Sequence, residues 1–255
     1  MNIIGHIFFL IFSIYLIILA LVSNILHTLI DLYHFGPPEG GTELHSILSE
    51  IFIFAINPFI WKNIKGVDHG KDHGVLYMSN HTSFPDGQAA LPCVPYRTKF
   101  IGSTGQFDTM IFKTIFETGG HIMVDFCKEK GFCKNPDKMF EKCKKILDSG
   151  KSVFVYPEGS FKRYKIKDGF LKFAIKYNIP IQTIRIADLT DVFNIWNKTT
   201  TITDAVFEFK EYIKEPAKLT LEELRHKIEQ NILTPEEIEI GKNKKEKKGH
   251  INFII

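Results

Sequence analysis

The sequence predicts an α/β fold with a mixed, largely parallel sheet flanked by helices, preceded by an N-terminal transmembrane or membrane-embedded helical segment. The 255 residues are 44% hydrophobic and 24% charged, as is typical of folded rather than disordered chains. From Gly66 onwards, short apolar runs alternate with helical patterns, and this alternation indicates a sheet with parallel strand pairs. The start of the chain is instead a long apolar stretch without Asp, Glu, Lys or Arg.

The apolar start predicts a membrane anchor over residues 1–30. Its uncharged part, residues 2–30, exceeds the roughly 20 residues that a transmembrane helix needs. A cleaved signal peptide would have a basic start and a shorter apolar core, so we expect the anchor to be retained. A second apolar stretch, residues 47–61, is too short to span comfortably. It predicts an interfacial, re-entrant or core helix within a membrane-interface segment over 31–65.

The charge distribution predicts a cytosolic domain on an internal membrane. Basic residues lie almost entirely after the apolar start, which by the positive-inside rule places the main domain in the cytosol. We therefore expect a single-pass or monotopic integral protein of the endoplasmic reticulum or another internal membrane. Residues 128–176 hold fourteen Lys or Arg against six Asp or Glu, which suits lipid phosphates, so membrane lipids are expected partners. No nucleic-acid-binding module surrounds this stretch, and we expect no nucleic-acid partner.

Strands and helices alternate within the predicted catalytic domain, residues 66–215. Strands are expected over 75–79, 99–102, 121–125, 152–156, 179–186 and 205–213, with helices over 107–118, 136–147 and 169–177. The remaining residues, 216–255, are expected to hold an amphipathic helix and a disordered Lys-rich tail. That helix is predicted over 220–232, because Thr220-x-x-Glu223 is a capping-box pattern.

The first chemistry-bearing residues follow the strand predicted over 75–79. His81 and Asp86 stand at a junction between a strand and a helix, where open α/β sheets place their sites. Five residues apart, they would point to different faces of a continuous helix, but Pro85 and Gly87 make a turn between them plausible. A histidine oriented by a carboxylate is a general base. The spacing also arises by chance, and Ser83-x-x-Asp86 alone equally fits a helix cap.

A second feature is the Tyr156-Pro157-Glu158-Gly159 turn, which follows the strand predicted over 152–156. A carboxylate at the exit of a central strand can face a ligand. Proline and glycine also mark ordinary turns, so a purely structural role for this segment stays open.

Together these residues resemble the 1-acylglycerol-3-phosphate acyltransferase family, also called lysophospholipid or glycerolipid acyltransferases. The N-H-x-S-x-x-D block of that family is matched at 80–86, and its F-P-E-G-T-R block is matched closely at 156–160. A downstream stretch around a proline in a hydrophobic strand is matched at 167–181. The resemblance covers residues 75–186, and the blocks occur in the same order and at similar spacing.

The resemblance implies a role for each matched residue. His81 and Asp86 would be catalytic and would form no covalent intermediate. Oxyanion donors are expected from backbone N–H groups after His81. Substrate binding is expected from Asn80, Ser83, Glu158, Gly159, Ser160, Lys162, Arg163 and Lys128. Acyl-CoA would be the co-substrate and a lysophospholipid the acceptor, with no cofactor and no metal.

Two residues depart from the family pattern at positions where arginine is thought to hold the phosphate of the acceptor. Phe126 and Phe161 stand at those positions, and phenylalanine cannot make bidentate phosphate contacts. Either nearby cations, namely Lys128, Lys162 and Arg163, replace the arginines, or the acceptor carries a different headgroup.

The expected function is transfer of a fatty acyl group from acyl-CoA to the hydroxyl of a lysophosphatidic acid-like lipid in glycerophospholipid synthesis or remodelling. Glycerol-3-phosphate acylation and CoA-independent phospholipid transacylation are alternatives, and a catalytically inactive, membrane-anchored lipid-binding scaffold is a third. The absence of a G-x-S-x-G elbow counts against a serine lipase. His121 is a rival base, although its place in a predicted strand favours a structural histidine. His69 and His73 flank a polar loop without an apparent third metal ligand.

Overall fold

The computed structural model describes scattered positions between 6 and 29, and then residues 60–83, 86–90, 93–95, 98–103, 120–127, 132–160, 162–187, 189, 193–194, 199–200 and 203–243. The described positions before residue 30 are helical. Within this described part of the chain, no helix is both long enough and apolar enough to cross a membrane. Most of the predicted segments over 1–30 and 31–65, the predicted helix over 107–118 and the residues after 243 lie outside the described residues.

From residue 60 onwards, strands and helices alternate along the described chain. The strands are β1 (Ile60–Lys65), β2 (Leu76–Ser79), β3 (Lys99–Ser103), β4 (Ile122–Val124), β5 (Phe126–Cys127), β6 (Phe132–Cys133), β7 (Val153–Val155), β8 (Ile181–Ala187), β9 (Phe193–Asn194), β10 (Thr199–Thr200) and β11 (Thr203–Ile213). The helices are α1 (Asp86–Ala90), α2 (Pro136–Asp148), α3 (Asp168–Tyr177), α4 (Leu221–Ile232) and α5 (Pro235–Asn243). A 3₁₀ turn, Pro216–Lys218, lies between β11 and α4.

Seven strands form the central sheet in the order β1-β11-β8-β2-β7-β3-β4. Neighbouring strands from β8 to β4 are parallel, whereas β11 is antiparallel to β8 and parallel to β1. This topology confirms the predicted mixed, largely parallel sheet. Because β2 lies between the parallel strands β7 and β8, the carboxyl ends of all three strands meet at one edge. The predicted site residues follow β2 and β7 at that edge.

Alternating side chains of the central strand divide the core between the two faces of the sheet. Leu76 and Met78 of β2 belong to the cluster that also contains buried residues of α2, α3 and α4. Tyr77 belongs to the cluster on the other face, with Phe154 of β7 and Ala89 of α1. The strand is fully buried, which explains why its sequence is continuously apolar up to Ser79. A rigid central strand therefore carries His81 at its exit.

The sheet begins six residues before the predicted domain boundary at residue 66. Of the stretch predicted as an interfacial, re-entrant or core helix over 47–61, only residues 60 and 61 are described, and they belong to strand β1 (Ile60–Lys65). Each of its residues pairs in parallel register with β11, from Ile60 opposite Thr203 to Lys65 opposite Glu208. An edge strand needs backbone partners on one side only, which suits a segment in which three of the six residues are polar.

Helix α5 was not predicted, because the predicted helix ended at residue 232 and no element was assigned between it and the Lys-rich tail. Thr234 and Glu237 form a reciprocal cap at its start. The Thr234 N–H donates to the Glu237 carboxylate at 2.8 Å, and the Glu237 N–H donates to the Thr234 hydroxyl at 3.0 Å. Thr234-x-x-Glu237 repeats the capping-box pattern that correctly predicted α4, so the sequence did contain a signal for this helix.

Candidate active site

The end of the central strand is fixed by the side chain of Asn80, which is buried. Its amide nitrogen donates to the Ile186 carbonyl at 2.8 Å, and its amide oxygen accepts the Ile186 N–H at 2.7 Å. The side chain thus replaces a backbone pair between β2 and β8 where the chain leaves the sheet. Asn80 was predicted to bind substrate, which stays a prediction; both ends of its amide bind β8 and fix the chain just before His81.

His81 and Asp86 form a hydrogen-bonded pair, as predicted. The Nδ1 atom of His81 lies 3.0 Å from Oδ2 of Asp86, and the two side chains are 13% and 0% exposed. An ionised carboxylate can only accept, so Nδ1 carries the proton of the neutral ring. The lone pair of the imidazole is therefore on Nε2. This is the tautomer that a general base needs.

The two residues meet because the chain between them folds around the carboxylate. Asp86 accepts the Thr82 N–H at 2.5 Å and the Ser83 N–H at 2.9 Å, and it also accepts both hydroxyl groups, that of Ser83 closely. With His81, these donors compensate for burial of the charge. The Ser83 N–H contact is one of the two hydrogen bonds of the predicted capping box. The Asp86 carboxylate therefore both supports the turn and orients His81.

These contacts also engage groups with a predicted role. Ser83 was predicted to bind substrate, and its hydroxyl donates to Asp86. Oxyanion donors were expected among the backbone N–H groups near the helix start after His81, and the first two of these groups, those of Thr82 and Ser83, donate to Asp86. Both residues therefore support the turn that holds His81 and Asp86 together, and their predicted roles toward substrate stay predictions.

An aromatic ring that sequence reasoning overlooked supports the imidazole. The rings of Tyr156 and His81 stack with centroids 4.1 Å apart and planes inclined by 16°. Burial, and then the charge of Asp86, raise the pKa of the Tyr156 phenol well above its usual range. The pairing of Met78 with Val155 places Tyr156 beside the end of β2. Parallel alignment of the two strands could therefore have identified this neighbour.

Glu158 connects His81 with the loop after β7. Its fully buried carboxylate accepts the His81 N–H at 2.8 Å through Oε1 and the Tyr164 N–H at 2.5 Å through Oε2. Burial raises the pKa of the Glu158 carboxyl, while the two N–H contacts act to lower it. The Lys162 N–H in turn donates to the His81 carbonyl at 2.7 Å. Glu158 was predicted to bind substrate, but both of its oxygens hold backbone.

The same loop, whose backbone binds the His81 carbonyl, carries several cationic residues. Gly159 is exposed and has a φ of +70°, and Lys167 Nζ lies 2.7 Å from where a Cβ of Gly159 would be. Lys162 is exposed, and Ser160 and Arg163 are half-buried. Burial, and then the charge of Arg163, lower the pKa of the Lys167 ammonium. The loop therefore carries positive charge on the segment that binds the backbone of His81, and Lys167 is an addition to the predicted set.

The side chains of three residues of the predicted phosphate site are outside the part of the chain that the structure describes. Lys128 and Phe161 lie outside the described residues, and Phe126 is described only in its backbone, as part of β5. The expectation that other cations replace the family arginines at Phe126 and Phe161 stays a prediction for these positions.

The rival histidines have environments of their own. Nδ1 of His121 accepts the Phe100 N–H at 3.0 Å, and burial, followed by the charge of Lys99, lowers its pKa to about 3. His121 is thus a neutral, structural histidine, as its position predicted. The His69 N–H donates to Gln182. Among the described residues, no three His, Cys, Asp or Glu side chains are grouped as ligands for a metal.

The segment that holds this site is similar to known proteins. Residues 62–187 match the model of the Acyltransferase family, and this segment contains the whole His81, Asp86 and Glu158 arrangement. This match confirms the resemblance that the sequence predicted. Helices α4 and α5 lie beyond the matched residues.

Two individual proteins are similar to the chain. The 1-acyl-sn-glycerol-3-phosphate acyltransferase LPAT1, chloroplastic, of Arabidopsis thaliana is 27% identical over 160 residues. That alignment covers 62% of this chain and 40% of the relative, so the chain spans less than half of that protein. The crystal structure of the 1-acyl-sn-glycerophosphate (LPA) acyltransferase PlsC from Thermotoga maritima matches with a TM-score of 0.57 and 17% identity. It covers 80% of this chain and 81% of PlsC, which shows a shared fold.

Proposed function

We propose that this protein is a membrane-attached O-acyltransferase that moves a fatty acyl group from acyl-CoA to the free hydroxyl of a lysophosphatidic acid-like lipid. The observation that carries the proposal is the His81–Asp86 pair, in which Asp86 binds Nδ1 and leaves the lone pair on Nε2. The match to the Acyltransferase family model supports acylation of a glycerolipid. The acyl-CoA donor and the exact acceptor are inferred from the relatives and from the chemistry of the site.

In the proposed reaction, Nε2 of His81 accepts the proton of the acceptor hydroxyl while its oxygen attacks the thioester carbonyl. Asp86 stabilises the imidazolium that forms, since the charged ring donates from Nδ1 to a carboxylate. The tetrahedral intermediate collapses with cleavage of the carbon–sulfur bond, and the thiolate of coenzyme A leaves with the proton from His81. Tyr156 and Glu158 touch neither reactant in this scheme, because they hold the ring and the backbone of His81.

The charge of the loop after Glu158 supports an acceptor that carries a phosphate. Lys162, Arg163 and Lys167 lie within six residues of one another, on a loop whose backbone binds His81 through the Lys162 N–H. A phosphate monoester is the anionic end of lysophosphatidic acid, and lysine and arginine are its usual protein partners. A phosphate held here would lie close to the base, as acylation of a nearby glycerol hydroxyl requires.

Attachment to a membrane is part of the proposal and rests on the apolar start of the chain. Aliphatic side chains at the described helical positions, among them Ile7, Leu10, Ile14, Leu21 and Leu29, are exposed in the isolated chain. Exposed aliphatic surface of this kind is stabilised by lipid. Together with the basic residues that follow, it favours a cytosol-facing catalytic domain on an internal membrane.

A substrate panel tests the proposal. The protein, reconstituted in lipid vesicles, is incubated with labelled acyl-CoA and with lysophosphatidic acid, lysophosphatidylcholine, lysophosphatidylethanolamine or glycerol-3-phosphate. We expect the label to enter phosphatidic acid when lysophosphatidic acid is present. Transfer to glycerol-3-phosphate alone, or transfer only from a phospholipid donor without coenzyme A, would replace the acceptor or the donor proposed here. No transfer from any donor to any acceptor would overturn the enzymatic function and leave a lipid-binding scaffold.

A further inference from the structure

Helix α5 lies outside the segment that matches the family model, yet it packs against the active-site loop. Gly241 of this helix is buried against the backbone of Tyr164. A Cβ atom at Gly241 would overlap the Tyr164 carbonyl oxygen and lie 2.9 Å from its carbonyl carbon. Backbone atoms cannot move aside as the end of a flexible side chain can, so only glycine allows the helix to approach this closely.

Tyr164 is connected to His81 through Glu158. The Tyr164 N–H donates to one carboxylate oxygen of Glu158, and the other oxygen accepts the N–H of His81. Tyr164 has a φ of +57°, a left-handed conformation that residues with a side chain rarely adopt. Such a conformation persists only where neighbouring groups hold it. On one side of Tyr164 that group is Glu158, and on the other it is α5.

A second observation places the same helix beside the site. The negative charge of Glu237, one turn before Gly241 in α5, acts on both Glu158 and Tyr164. In each case burial is the larger cause of a raised pKa, and the charge of Glu237 raises it further. The cap with Thr234 fixes Glu237. The helix is therefore held at its start by this cap and near its end by the contact at Gly241.

We propose that Gly241 is a positioning residue for catalysis. Its close packing lets α5 hold Tyr164, and thereby Glu158, so that the Glu158 carboxylate keeps the His81 backbone in place. The effect on catalysis rests on the proposed acyl transfer. The connection from Gly241 through Tyr164 and Glu158 to His81 can be measured without any substrate. It extends the functional unit from residues 62–187 to Gly241, which lies 54 residues (241 − 187) beyond that segment.

The first test is amide hydrogen exchange, measured by mass spectrometry on the full-length protein and on Gly241→Ala. The added methyl group displaces Tyr164, so we expect faster exchange in peptides that cover 80–83 and 158–167. Gly169→Ala is the matched control, because a Cβ there would only touch Phe140 at an ordinary distance of 3.4 Å. Unchanged protection of both peptides in Gly241→Ala would overturn the proposal, whether or not the protein is an acyltransferase.

A gentler variant guards against general misfolding of Gly241→Ala. Ile238 of α5 packs against the core cluster on the helix-covered face of the sheet. Ile238→Ala loosens the helix without placing an atom against Tyr164, and we expect exchange to increase in the same two peptides. If Ile238→Ala leaves those peptides unchanged while α5 itself exchanges faster, the helix does not hold the loop and the proposal fails.

The kinetic test separates positioning from mere stabilisation. We expect Gly241→Ala to lower kcat by about ten- to a hundredfold, while KM stays within about twofold of the wild-type value. Small displacements of reacting groups reduce the rate by up to about this factor. Combined with Glu158→Gln, it should have little further effect, since both changes release the same backbone. Multiplicative loss in the double variant would contradict the proposal. Inactive wild-type protein in the same assay would instead refute the acyltransferase function.

Discussion

Among the residues that the structure describes, none is a hydrogen-bond partner of the buried Tyr156 hydroxyl, although the ring that carries it stacks on His81 at 4.1 Å. The ring and the hydroxyl therefore have opposite effects. The ring fixes the plane of the imidazole, whereas an unpaired buried hydroxyl costs folding free energy.

Replacing Tyr156 separates these two effects. Tyr156→Phe keeps the ring and removes the unpaired group, so we expect unchanged kcat and a free energy of unfolding higher by about 1 kcal/mol. Tyr156→Leu removes the stack, and kcat should fall at least about tenfold while KM changes little. Steady-state kinetics and chemical denaturation of both variants provide the measurement. A loss of activity in Tyr156→Phe equal to that in Tyr156→Leu would assign the function to the hydroxyl instead.

The cationic loop should determine how the acceptor headgroup is bound. Removing the charge of Arg163 with Arg163→Ala should raise KM for lysophosphatidic acid about tenfold, as loss of one charge-assisted contact would, with kcat less affected. KM for acyl-CoA should stay nearly constant. Lys176→Ala, on the exposed end of α3, is the matched control for loss of one positive charge. An equal rise in KM for both substrates would place the acceptor phosphate elsewhere.

His121 should make the stability of the fold depend on pH. Its pKa is about 3 in the folded protein, below the ordinary value of 6.5, so the unfolded state binds the proton first. The contribution to stability is complete above pH 6.5 and is lost as the pH falls towards 3. We expect this group alone to lower the free energy of unfolding by about 1.4 kcal/mol per pH unit between those limits.

The contribution of His121 is the difference between the wild type and His121→Asn, whose side-chain oxygen can still accept the Phe100 N–H. Chemical denaturation at pH 7, 6 and 5 should give a shallower pH dependence for the variant. Parallel curves for the two proteins would mean that His121 is protonated in the folded state, contrary to its burial.

The sheet and the contact between His81 and Asp86 were predictable because their determinants are local. Buried parallel strands read as continuous apolar runs, and residues 76–79 and 153–155 are of this kind. His81 and Asp86 are joined by a turn whose residues stand between them in the sequence. Strand β1 was not recognised because its stability comes from pairing with β11, more than a hundred residues away, rather than from its own apolar pattern.

The roles of the other site residues depend on contacts that no local pattern contains. Asn80 was grouped with the substrate ligands, yet its partner is the backbone of Ile186. Glu158 was expected to face the acceptor, and its partners are the backbone N–H groups of His81 and Tyr164. In both cases the sequence identified a residue with a specific role. It could not identify the partners, because backbone N–H and carbonyl groups are the same in nearly every residue and leave no pattern in the sequence.

The most direct test of the account is the activity of His81→Ala beside His226→Ala, a matched change at an exposed histidine of α4. Transfer of labelled acyl groups from acyl-CoA to lysophosphatidic acid is measured for both variants in the same vesicles. If His81 is the general base, its loss should lower kcat by about 10²- to 10⁴-fold, with KM little changed. His226→Ala should have the same kcat as the wild type. Full activity in His81→Ala would contradict the central claim.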